Sequence, residues 1–225
     1  MLKARSEDEA ESREALATLC QGYWPAVYSF IRYRGHDPET ARDLTQGFFA
    51  ALLERRGIAE ARRERGRFRS FLLGSVKHFL TDEQDHLRAA KRGGGIAPIS
   101  IDVDAWESAH AVPEPATHLT PETIFEQRWA EALLERAKRD LEKEMERAGA
   151  HERFRRLSPY LVSDADPPYR QLAQDLGATD AALRVALHRM RQRFGAKLRE
   201  HVAETVDDPA RIEDELRYLI SALGD

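Results

Sequence analysis

The sequence predicts an all-α protein with two helical domains joined by an acidic, proline-containing linker. Apolar residues recur at helical spacing along most of the chain, and no convincing alternating strand interrupts them. Glycine, proline and capping residues fall at intervals that cut this pattern into separate helices. Residues 96–121 then break it altogether. They hold Pro98, Pro113, Pro115 and Pro121 with Asp102, Asp104, Glu107 and Glu114, and no Lys or Arg, a composition that favours an extended spacer.

Each element follows from local chemistry. Leu16, Leu19, Tyr23, Val27, Phe30 and Ile31 mark a first helix over about 8–34, with Trp24-Pro25 as a place where it bends or divides. Gly35 ends it. Asp37 caps a second helix, with Pro38 in its first turn and Glu39 suited to the dipole. This helix runs to about Arg56, with a core stripe at Ala41, Leu44, Phe48 and Leu52. A basic stretch over 59–69 precedes a helix ending near Ala90, and Gly93-Gly94-Gly95 closes the first domain. Beyond the linker, Thr120 caps a long helix that stops at Gly149. Shorter helices follow over His151–Val162, Tyr169–Leu176 and Asp180–Val202, and Asp207-Asp208-Pro209 begins a last one. The expected divisions are 1–95, 96–121, 122–202 and an acidic amphipathic extension, 203–225.

Bulk composition excludes several functions. The formal net charge is -4, so nucleic-acid binding would have to come from local basic patches. The single cysteine, Cys20, allows no internal disulfide and suits a reducing cytoplasm. No apolar run is long enough to span a membrane, and the charged N-terminus resembles no signal peptide. The histidines lack zinc-ligand spacing. No glycine-rich phosphate loop or nucleophile elbow is present, so an enzyme is not expected, nor any cofactor.

The sharpest local signal is a helix-turn-helix over Tyr169–Arg191. Ala173 is small where two helices cross, Gly177 supplies the turn, and Leu172, Leu176, Leu183 and Leu187 form the seam. From Asp180 to His201 there are six Lys/Arg (Arg184, Arg189, Arg191, Arg193, Lys197, Arg199) against Asp180 and Glu200. Such a helix fits the DNA major groove. In the first domain, Asp43, Gln46, Ala50 and Leu53 lie off the core stripe and offer a face for a partner helix, or plain surface.

Three motifs in order then carry a family resemblance. Ala41-Arg42-Asp43-Leu44-Thr45-Gln46-Gly47-Phe48-Phe49 resembles the polymerase-binding helix of bacterial RNA polymerase sigma factors, although Arg42 stands where an acid is usual. Phe68-Arg69-Ser70-Phe71-Leu72-Leu73 resembles their promoter-melting helix, with Phe71 in place of the usual Trp and His78 in place of the usual Asn. Leu187-His188-Arg189-Met190-Arg191 resembles the end of their terminal helix-turn-helix. The match spans roughly 15–200 and points to the extracytoplasmic-function (ECF) type, with an added C-terminal extension.

The resemblance implies a specificity subunit. Asp43, Gln46, Ala50 and Leu53 would hold core RNA polymerase. Arg62, Arg63, Arg65, Arg67, Arg69, Lys77 and His78 would meet the −10 element of promoter DNA as separated strands. Arg184, Val185, His188, Arg189, Arg191 and Gln192 would read the −35 element as duplex. Phe68 and Phe71 serve either core packing or stacking on unpaired bases. The linker is either a solvated spacer or an anionic stand-in for RNA.

An anti-sigma factor and a Ser/Thr kinase are further partners to consider, the latter with Thr45 as its target. The extension, with seven acids against two arginines and a stripe of Ile212, Leu216, Leu219, Ile220 and Leu223, would brace one domain or cover a basic DNA-binding surface. The competing reading is a stand-alone helix-turn-helix regulator, which would bind duplex DNA without polymerase.

Overall fold

The computed structural model describes residues 20–54, 66–89, 119–163 and 167–224. They are predominantly helical and contain no strand; the one β-type pairing is an isolated antiparallel bridge between Arg67 and Val206. The helices are α1 (20–33), α2 (Pro38–Glu54), α3 (Phe68–Ala89), α4 (Pro121–Arg147), α5 (His151–Leu157), α6 (Tyr169–Leu176), α7 (Asp180–Ala203) and α8 (Ile212–Leu223). Single 3-10 turns, Ser158–Tyr160 and Pro209–Arg211, follow α5 and precede α8.

The boundaries have chemical causes. Asp37 Oδ1 accepts from the backbone N–H of Thr40 (3.0 Å) and of Glu39 (3.1 Å), which satisfies orphan donors at the start of α2. Thr40, through its side chain and backbone donors, holds the Asp37 carboxyl below its ordinary range. Thr120 Oγ1 accepts from Thr123 N–H at 3.1 Å and caps α4. Asp208 Oδ1 accepts from Ala210 N–H at 2.9 Å and starts the turn before α8. The chain is helical on both sides of Pro25, so among the described residues Trp24-Pro25 does not divide α1.

The chain forms two compact units. One takes Met1–Ala132 and Thr205–Asp225, the other Leu133–Glu204. One division falls inside α4 and the other after Glu204, so the C-terminal extension from Thr205 onward belongs to the first unit. Residues 96–118 of the expected linker lie outside the described residues.

The first unit is built on aromatic packing. Trp24, Phe30, Phe49, Leu72, Leu80, Phe125 and Trp129 are fully buried. Trp24 stacks on Tyr28 at 4.9 Å, and Phe30 meets Phe125 edge-on at 6.4 Å. Phe68 packs edge-on against Tyr23 at 5.1 Å, the core-packing use of that ring. Cys20 is also buried, which pushes its thiol up to about 12 and removes thiolate chemistry at neutral pH. From α8, Leu219 enters this core, whereas Ile220 and Leu223 of the expected stripe remain exposed. The second unit buries Leu141, Met145, Phe154, Leu157, Leu183, Leu187, Met190 and Val202 around α7.

Candidate nucleic-acid interface

The helix-turn-helix is assembled by its turn. Gly177 has φ 59° and ψ 38°, the left-handed conformation that side chains other than glycine adopt at a cost. Its N–H donates to Gln174 O at 3.4 Å, and Ala178 N–H donates to Ala173 O at 2.9 Å. The pair closes α6 with the double bond pattern of a Schellman motif. Thr179 then accepts from Ala182 N–H at 3.2 Å and caps α7. Leu172, Ala173, Leu183 and Leu187 are buried between the two helices, while Leu176 is only half-buried.

A Cβ added at Gly177 would meet no atom within 4 Å, so an alanine there is penalised by its backbone conformation alone. Gly177→Ala is expected to lower stability by ~1–2 kcal/mol. Gly177→Asn should lose less, because asparagine tolerates this region. Urea unfolding of the three chains checks the order.

With the seam buried, α7 turns Arg184, Val185, His188, Arg189, Arg191 and Gln192 to solvent, all six of the expected −35 residues. Val185 is 50% exposed and edges a shallow apolar concavity with Ala181, Ala182 and Ala186. Apolar groups at such a position suit contact with a thymine methyl.

The basic residues of α7 have unequal freedom. The Arg184 guanidinium lies 4.1 Å from the Tyr169 ring centroid, a cation–π contact that orients it. Arg191 donates to Tyr160 O (2.8 Å) and Ser163 O (3.2 Å), so it ties α7 to the turn after α5. Arg193 pairs with Glu144, and Lys197 lies 3.6 Å from the same carboxylate. The Arg193 hydrogen bond is the main reason that the Glu144 carboxyl sits below its usual range. The surplus positive charge is thus concentrated near the N-terminal half of α7, at Arg184 and Arg189.

The first unit departs further from expectation. Asp43 is exposed, and Gln46 and Leu53 are half-buried. Ala50, expected on the same face, is buried at 7% exposure and belongs to the core. Thr45 is a second correction: it is fully buried, and its hydroxyl donates to Ala41 O at 2.7 Å. A kinase cannot reach it without unfolding the helix. The buried residues of α2 are Ala41, Thr45, Phe48, Phe49, Ala50 and Leu52, with Leu44 only partly covered.

Arg62, Arg63 and Arg65 lie outside the described residues. Of the remaining residues assigned to the −10 element, His78 is exposed. Lys77 pairs with Glu122 at 2.8 Å.

Arg69, also assigned to the −10 element, is engaged within the first unit: it is 6% exposed, with Nε 2.5 Å from Glu215 Oε1 and Nη1 3.3 Å from Glu126 Oε1. Its guanidinium lies 3.7 Å from the Tyr218 centroid and 5.3 Å from that of Trp129. Arg67 joins the cluster, with Nε 2.8 Å from Glu215 Oε2. The buried carboxylate of Glu215 was not singled out from the sequence, where it is one of three consecutive acids.

Among the described residues, no helix is long and apolar enough to cross a membrane, and no group of three or more His, Cys, Asp or Glu side chains is placed to hold a metal. Comparison with protein-family models, with curated proteins and with solved structures finds no match.

Proposed function

We propose that this chain is a sigma-type transcription initiation factor of the ECF class, acting by binding and not by bond chemistry. It holds core RNA polymerase through α2, engages the −10 element with the first unit and reads the −35 element with α7. One observation carries the reading most. A left-handed turn at Gly177 leads into a capped helix whose exposed face carries Arg184, Val185, His188, Arg189 and Gln192. That combination of arginine, amide and small apolar groups matches the base-edge chemistry of the major groove. The two motifs of the first unit, in family order, extend it from DNA binding to polymerase binding. Promoter melting follows by trapping unpaired bases, whose binding offsets unstacking of a few kcal/mol per step.

The test is co-purification with bacterial core RNA polymerase. The unaltered chain should form a stable complex, and Asp43→Arg combined with Gln46→Ala should weaken it at least tenfold, since both positions reach solvent on α2. A folded chain that binds duplex DNA tightly but never associates with polymerase would instead favour a stand-alone regulator.

A further inference from the structure

The C-terminal segment does more than extend the chain. Phe68 N–H donates to Thr205 O at 2.9 Å, and Arg67 bridges Val206 in antiparallel fashion. The segment is therefore stitched, backbone to backbone, to the end of the arginine-rich stretch before α3. From α8, Glu215 then reaches both Arg67 and Arg69 while being 0% exposed itself. Tyr218 covers the Arg69 guanidinium from one side. A carboxylate with two arginines reproduces, within one chain, the chemistry by which arginine grips a phosphate.

We infer that Thr205–Gly224 is an intramolecular latch, with Glu215 standing in for a nucleic-acid phosphate at Arg67 and Arg69. The inference rests on the promoter-binding reading above. While the latch is closed, Arg67 and Arg69 are withdrawn from DNA. When it opens, both are free to meet phosphates. Arg67 is the first to be recovered, because its side chain is already 34% exposed whereas that of Arg69 is 7% exposed. Tail and single-stranded DNA then compete for the same cations, so each must weaken the other's hold.

The full-length chain tests this with a fluorescein-labelled, mixed-sequence single-stranded DNA oligonucleotide. Glu215→Gln keeps the side-chain shape and removes its charge. It should raise affinity about tenfold and steepen the slope of log affinity against log salt by roughly 1.4, two phosphate contacts at about 0.7 each. Adding Arg67→Ala should cancel about half of that steepening. In the unaltered chain, saturating oligonucleotide should accelerate amide hydrogen exchange across Thr205–Leu223, a readout that does not depend on any variant folding.

Unchanged exchange with DNA bound would overturn the latch. So would a gain in Glu215→Gln that survives Arg67→Ala undiminished, since it would reflect net charge alone. Core-polymerase association is scored separately. Binding to polymerase without competition between tail and DNA sinks the latch and leaves the initiation-factor reading. Competition without polymerase binding does the reverse.

Discussion

Replacing Glu215 by alanine is expected to destabilise the first unit by ~3–5 kcal/mol, because it leaves a buried arginine without its main counter-charge. The side chain is fully buried and its two oxygens serve two guanidinium groups. Glu126, which is 3.3 Å from Arg69, can compensate only in part, since it meets a single nitrogen. A loss of that size is comparable to much of a small domain's total stability. Urea unfolding followed by tryptophan fluorescence reports it directly, because Trp129 lies 5.3 Å from the Arg69 guanidinium.

The comparison with a paired replacement separates charge from packing. Glu215→Leu together with Arg69→Met removes both charges and keeps apolar volume, and should recover most of the loss. A single Glu215→Ala that costs under ~1 kcal/mol would mean that water reaches the cluster and that the ion pair behaves as a surface one. The latch would then be too weak to withhold two arginines from DNA.

These two arginines also show where sequence reasoning stops. Helix starts were legible because caps are local: Asp37, Thr120 and Asp208 each bond an N–H two or three residues away. The turn at Gly177 was legible for the same reason. Burial of polar groups was not. Glu213, Asp214 and Glu215 are consecutive acids in the first turn of α8, all equally suited to its dipole. Which of them enters the core depends on residues more than a hundred positions away. The carboxylate that holds Arg69 in this structure, Glu215, is 146 residues distant.

Thr45 illustrates a different blind spot. The stripe through Ala41, Leu44, Phe48 and Leu52 does not include it. At helical spacing, Thr45 shares the stripe as well as Leu44 does. Its hydroxyl is satisfied inside the helix by the Ala41 carbonyl, so it can be buried without an unpaired group. The solvent-exposed face of α7 was legible because it depends only on which side of the helix the leucine seam occupies.

That face carries the second large effect. Arg184→Ala combined with Arg189→Ala is expected to weaken sequence-specific duplex binding by ~2–6 kcal/mol, about 1–3 for each lost bidentate base contact, and so by roughly 30-fold or more. Arg184 is oriented in advance by Tyr169, and Arg189 is exposed with no ion pair among the described residues, so neither must break an internal salt bridge to reach a base. Lys197 lies close to Glu144 and Glu200. Lys197→Ala should therefore change salt dependence slightly and sequence preference not at all. The measurement is made on the complex with core polymerase, using duplexes that the unaltered complex selects from a randomised pool. If the double variant keeps polymerase association but loses the selected sequence preference, α7 is the reading helix and the first unit holds polymerase independently. A double variant that retains the same preference would move recognition away from α7, and with it the observation on which the initiation-factor reading chiefly rests.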